Sequence, residues 1–213
     1  MRSHPMIKEL HINDLFWTFQ GEGKYAGRRA LFVRMPYCNL ACEWCDTTFN
    51  SFKKVTEQEF IDFASRSPAR HRFAVVTGGE PTLHKHTSRI VDLLHGLGFY
   101  VAAESNGTNA PNANFDFLTI SPKRQSVDKF KIPYYVDQTA FETASEFKYV
   151  VDRFFDFSIL ERHKIGNTLN YPRLSLSPEF GEFKENMNKI YDYIKENPNW
   201  LISLQTHKFL GIA

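Results

Sequence analysis

Short apolar runs recur along the chain with polar or glycine-rich breaks between them: LFVRM (31–35), FAVVT (73–77), FYVAAE (99–104), FLTIS (117–121), FKYVV (147–151), RLSLS (173–177) and LISLQ (201–205). Runs this short, rich in β-branched and aromatic residues and bounded by turn signals, predict buried strands. Helical spacing falls between some of them. Thr56 and Glu59 form a capping box ahead of Phe60, Ile61 and Phe63. Ile90, Val91, Leu93, Leu94 and Leu97 make one broad apolar face that ends at Gly98. Met187, Ile190, Tyr191 and Ile194 make another that stops before Pro198. Strands alternating with helices predict an α/β fold with a mostly parallel sheet. The connection over 106–115 is too short for a full helix, so the expectation is a trimmed, incomplete (β/α) barrel.

Composition narrows the class without naming a function. The 213 residues suit one domain over 1–213, and no linker or repeat divides them. Twenty-six basic against 24 acidic residues leave a net charge of +2, which argues against a general nucleic-acid binder. No apolar run approaches a membrane span, and the N-terminal stretch MRSHPMIKELHIND lacks the apolar core of a secretory signal. The expected location is the cytoplasm, with no membrane and no nucleic acid as partner.

All three cysteines, Cys38, Cys42 and Cys45, lie in MPYCNLACEWCDTTF (35–49). A disulfide strands one of them and needs an oxidising compartment. Inert core cysteines have no reason to cluster. Structural zinc takes four ligands, so a distant histidine must complete the shell. An iron–sulfur cubane takes four thiolates, and three leave one iron open to a small molecule.

The polar breaks fall where chemistry sits in such sheets, at the C-terminal ends of strands. The cysteine loop follows the run at 31–35, TGGEP (77–81) the next, then ESNG (104–107), SPK (121–123) and SP (177–178). Each alone reads as an ordinary turn; four on one rim beside three cysteines do not.

The spacing Cys-x3-Cys-x2-Cys is that of radical S-adenosylmethionine enzymes, in which the open iron of a 4Fe-4S cluster binds that cofactor. With TFQGEG (18–23), Gly27–Arg28, FVR (32–34), CNLACEWCDTTF (38–49), TGGEP, ESNG, SPK and LQTHKFLGI (204–212), the chain from about Phe16 onward resembles 7-carboxy-7-deazaguanine synthases. The alternatives are another small radical enzyme, such as a glycyl-radical activase, and a metal-binding module without catalysis. The resemblance implies a barrel of the radical S-adenosylmethionine type. It implies conversion of 6-carboxy-5,6,7,8-tetrahydropterin to 7-carboxy-7-deazaguanine with loss of ammonia, within the 7-deazapurine (queuosine) pathway. It also implies a bound magnesium ion, a homodimer, and a reductant protein such as flavodoxin or ferredoxin.

Roles follow by matched position. Cys38, Cys42 and Cys45 are implied to hold the cluster. Trp44, Cys45, Asp46, Gly79 and Glu104 are implied to contact S-adenosylmethionine, together with Ser121, Pro122 and Lys123 and, more loosely, Ser177 and Pro178. Phe19, Gln20, Gly21, Arg34, Thr77 and His207 fall at substrate positions. Thr47 matches the protein's magnesium ligand. The Ala213 carboxylate is implied beside the substrate, where compact relatives end in proline.

Overall fold

The computed structural model describes residues 9–45, 47–48, 51–125, 132–162 and 172–212. Its main sheet contains the seven predicted strands and one more. In chain order, β1 is Leu10–Ile12, β2 Asp14–Phe19, β3 Arg29–Met35, β4 Lys53–Val55, β5 Phe73–Gly78, β6 Tyr100–Ser105, β7 Phe117–Ile120, β8 Glu146–Val151, β9 Arg173–Pro178 and β10 Trp200–Ile202. Eight of these form an open sheet in the order β10-β9-β8-β7-β6-β5-β3-β2. Every pairing is parallel except β2 on β3. β1 and β4 form a separate antiparallel ribbon. The sheet does not close into a barrel, as the short connections predict.

The helices are α1 Glu57–Ala64, α2 Thr87–Gly96, α3 Gln138–Thr143, α4 Ser158–Arg162, α5 Phe183–Glu196 and α6 Thr206–Leu210. The Thr56–Glu59 capping box forms in full at the start of α1. α2 ends in a Schellman motif: Gly98 takes φ +79°, its N–H donates to the His95 carbonyl at 2.8 Å, and the Phe99 N–H donates to Leu94 at 3.0 Å. α5 stops at Glu196, because the residue before Pro198 is barred from helix. The expected strand over 201–205 is shorter and starts earlier, at Trp200. Beyond Ile202 the chain still bonds the sheet through the Ser203 N–H and Leu176 carbonyl at 2.9 Å, then turns into α6. No helix among the described residues is long and apolar enough to cross a membrane.

The period of two along each strand sorts the side chains into two populations. Leu31, Val33, Ala74, Val76, Val101, Ala103 and Leu176 pack with Phe60 of α1, with Ile90 and Leu94 of α2, and with Ile190 of α5 in one core. The alternate positions face the other side of the sheet. There the first halves of the strands are apolar: Ala30, Phe73, Val75, Ala102 and Phe117 form a second, smaller cluster. Tyr25, from the turn after β2, plugs this end, with its ring 4.9 Å from Phe73 and 5.1 Å from Phe117. Two residues beyond Phe32, Val75 and Ala102 the same face becomes polar, at Arg34, Thr77 and Glu104, and β8 adds Lys148. The site lies in that upper, polar half.

Candidate active site

The cysteine loop is held at its root by glycines. Gly78 takes φ +108° and packs on the Met35 backbone, and a Cβ on Gly79 would overlap the Tyr37 carbonyl. This close approach lets the Gly79 N–H donate to Met35 and the Glu80 N–H donate to Tyr37, both at 2.8 Å. Glu80 is fully buried. It accepts from the Thr82 hydroxyl and the Ser105 hydroxyl at 2.8 Å each, and from the Asn106 N–H at 2.6 Å. Asn106 in turn donates to the Cys38 sulfur at 3.8 Å and to Asn39 at 3.0 Å. Three rim motifs far apart in the chain are thereby one hydrogen-bonded unit.

Cys38, Cys42 and Cys45 line one cavity of about 160 Å³. Burial pushes the Cys38 thiol up, and pushes Cys42 up to about 11 against the pull of Lys123. Such thiols ionise readily only on a metal. Cys38 also accepts from the Leu40 N–H at 3.4 Å, and donors onto sulfur are a means of tuning iron–sulfur clusters. Among the described residues no His, Cys, Asp and Glu side chains group tightly enough for a single metal ion. The three thiols instead border one shared cavity.

Of the residues implied to contact S-adenosylmethionine, Trp44, Cys45, Gly79, Glu104, Ser121 and Lys123 line this same cavity. Lys123 donates to the Ser121 carbonyl at 2.8 Å and lies 5.4 Å from the centre of the Trp44 ring. Pro122, Ser177 and Pro178 do not line it; Ser177 and Pro178 are buried at the end of β9. Asp46 and Ala213 lie outside the described residues.

A second cavity, of about 300 Å³, adjoins the first. Phe19, Gln20, Gly21, Arg34, Thr77 and His207 all line it, and so does Thr47. Arg34 and Thr77 are register partners on β3 and β5, and the Arg34 guanidinium lies 4.8 Å from the centre of the Phe16 ring. The C-terminal helix is laid on the 20–22 loop: Thr206 donates to the Gly21 carbonyl from its N–H and its hydroxyl, both at 2.9 Å. The His207 ring packs against Gly21 so closely that no Cβ fits.

Glu22, Thr77 and Glu104 line both cavities. Residue-type reasoning places Gln205 on the rim, where it does line the cavity with the thiols, but gives no role to Glu22 or Lys148. The signal available for Lys148 was a lysine inside an otherwise apolar strand. Its ammonium lies 2.5 Å from Glu22 Oε2 and 3.4 Å from Glu104 Oε2. Burial alone raises the Glu22 carboxyl, but Lys148 and a hydrogen bond from Gln205 overcome it and hold the group down at about 2. Lys148 itself is desolvated, yet the two carboxylates keep it firmly protonated.

The profile of the radical SAM superfamily matches residues 32–122, from Phe32 in β3 to Pro122 of the SPK segment. Over 98% of its length, the chain is 31% identical to the 7-carboxy-7-deazaguanine synthase of Neisseria meningitidis serogroup B, covering 96% of that protein. It is 33% identical to the Synechocystis protein of the same name, over 94% of this chain and 92% of the other. It superposes on the crystal structure of QueE from Escherichia coli with a TM-score of 0.77 at 27% identity, covering 93% of this chain and 95% of that one. Streptococcus suis SuiB shares the fold, at a TM-score of 0.55 and 13% identity, over 80% of this chain and 47% of that one. With near-complete coverage at this level of identity, the chain belongs to the 7-carboxy-7-deazaguanine synthase family of radical S-adenosylmethionine enzymes.

Proposed function

We propose that this protein converts 6-carboxy-5,6,7,8-tetrahydropterin to 7-carboxy-7-deazaguanine and ammonia. The observation that carries the reading is the pair of adjoining cavities, one lined by three thiols and the other by polar groups suited to a pterin, which share Glu22, Thr77 and Glu104. Bound among the thiols, a 4Fe-4S cluster with S-adenosylmethionine would supply the one-electron radical chemistry that the reaction needs.

The chain's own residues bind and orient. Cys38, Cys42 and Cys45 would hold the cluster, and three thiolates would leave it one ligand short, open to S-adenosylmethionine. Glu104, an acceptor with two oxygens, takes ribose hydroxyls. Gln20 both donates and accepts, as a pterin edge requires. Arg34 forks onto the substrate carboxylate, with its plane braced by Phe16. Thr47 would offer a hydroxyl to magnesium, a hard cation that suits an oxygen ligand. α6 borders the cavity and sets His207 over Gly21. The protein works in a reducing compartment, the cytoplasm, as a homodimer, and receives electrons from a flavodoxin or ferredoxin.

The test is anaerobic reconstitution with iron and sulfide, then turnover of 6-carboxytetrahydropterin with S-adenosylmethionine and a reductant. Formation of 7-carboxy-7-deazaguanine by mass analysis is the expected result. Cleavage of S-adenosylmethionine with the pterin unchanged would assign the protein to another radical reaction.

A further inference from the structure

Lys148 stands on the inner face of β8 with 3% of its side chain exposed. A structural ion pair needs one carboxylate, yet here two converge on one ammonium. Each carboxylate gives its second oxygen to a glutamine: Gln205 donates to Glu22 Oε1 and Gln20 donates to Glu104 Oε1, both at 2.8 Å. The ring closes because the Glu22 N–H donates to Gln20 Oε1 at 3.3 Å. Glu22 and Glu104 face both cavities, whereas Lys148 faces only the one with the thiols. Neither carboxylate can shift without changing how the shared cation holds the other.

We infer that Lys148 is a positioning residue that couples the two cavities, so that S-adenosylmethionine in one tightens pterin binding in the other. This rests on the substrate assignment above. Ribose hydroxyls donating to Glu104 fix that carboxylate, and with it Gln20 on one oxygen and Lys148 on the other. Lys148 then fixes Glu22. The pterin meets donors and acceptors whose ordering has already been achieved, which is positive coupling without a large movement. Linkage makes the effect reciprocal.

The experiment is calorimetry on the cluster-loaded protein without reductant, so that nothing turns over. The dissociation constant of 6-carboxytetrahydropterin is measured with and without saturating S-adenosylmethionine. The expected ratio is roughly fivefold or more, within the usual range of coupling. Replacing Lys148 alone leaves two buried carboxylates in repulsion, so the informative variant is Lys148→Met with Glu22→Gln. It keeps the local charge at −1 but removes the bridge, and its ratio should fall to about one. Lys148→Arg keeps a cation, in forked form, and should keep the ratio while both affinities weaken. An undiminished ratio in the double variant overturns the role of Lys148 alone. A ratio near one in the unaltered protein overturns the coupling, whether or not the double variant folds. No pterin binding in the unaltered protein overturns both the coupling and the substrate assignment.

Discussion

The side-chain amide of Gln20 donates to the carboxylate of Glu104 at 2.8 Å across 84 residues of sequence. The bond joins the loop after β2, on the antiparallel edge of the sheet, to the C-terminal end of β6 in its interior. It also joins a residue of the proposed substrate site to one of the proposed cofactor site. Much of the behaviour expected of this protein follows from how those two loops are held.

The three thiols make the first expectation. Cys42→Ala should leave the fold intact, because Cys42 sits in a loop and takes no part in a strand or helix. Reconstituted protein should carry about four irons per chain, and the variant should lose nearly all of them. Iron analysis and the visible absorption of the cluster check this. Stoichiometric zinc in place of iron after anaerobic reconstitution would contradict the cluster.

Gly79 makes the second. An added Cβ would overlap backbone, the Tyr37 carbonyl, which has no flexible end to swing away. Gly79→Ala should cost about 1–3 kcal/mol, the usual range for overpacking. Because the clash falls at the root of the cysteine loop, cluster content should fall with it. Thermal melting and iron content should both drop; a variant with unaltered iron content would free the loop from this glycine.

Much of this was legible in the chain, and the exceptions have physical causes. β5, β7 and β8 announced themselves as apolar runs because both faces of their first halves are buried. β2 did not: all its residues are partly exposed on the edge of the sheet, so DLFWTF shows neither a clean alternation nor a buried run. β1 and β4 are three residues each and are defined by their mutual pairing. The rim motifs were visible as polar stops, but the partnerships between them were not. Gln205 meets Glu22 across 183 residues, and no local pattern encodes that meeting. Ser177 and Pro178 follow the strand-end rule yet line neither cavity, because β9 lies near the far edge of the sheet, beyond β8.

The Glu22–Lys148 pair makes stability depend on acid. Glu22 is held at about 2 in the fold, against an ordinary 4.5. A lowered carboxyl contributes stability that is fully present above the unfolded value. That contribution is lost as pH falls from about 4.5 through about 2. The unaltered protein should therefore lose, on the order of, 3 kcal/mol across that window relative to Glu22→Gln, which cannot titrate. Denaturant unfolding of both proteins at a series of pH values measures the difference. A gap independent of pH would mean that Glu22 titrates normally.

Thr47 lines the cavity assigned to substrate. If its hydroxyl ligates magnesium, Thr47→Ala should lower turnover roughly tenfold, the equivalent of about 1.4 kcal/mol in the transition state. Thr47→Ser keeps the oxygen and should stay within about threefold of the unaltered enzyme. Magnesium titration separates the cases, because the Ala variant should need more metal to reach half its maximal rate. Equal magnesium dependence in Ala and Ser variants would remove Thr47 from the metal site.

Two glycines at the end of the loop that carries Gln20 and Glu22 separate backbone strain from lost space. Gly23 and Gly27 both take positive φ, +63° and +83°, so alanine at either costs about 1–2 kcal/mol for the left-handed backbone. Around Gly27 nothing lies within 4 Å of an added Cβ. At Gly23 it would come 2.7 Å from Glu146 Oε2. That carboxylate cannot easily retreat: it is 1% exposed and accepts from Ser175 at 2.7 Å, from Thr119 at 3.2 Å and from Arg173 at 3.2 Å. The loop must yield instead, and the Gly23 N–H would lose its 2.9 Å bond to the Ser203 hydroxyl. Gly27→Ala should lower the melting temperature by a few degrees, about 2–4 °C per kcal/mol at this chain length, with little change in the pterin KM. Gly23→Ala should lower it further and raise the pterin KM roughly tenfold, since about 1.4 kcal/mol of misplacement of Gln20 and Glu22 is one factor of ten. Melting curves and steady-state kinetics at equal cluster content distinguish the two. Equal KM values would show that Glu146 only supports the loop and does not set the position of the residues it carries.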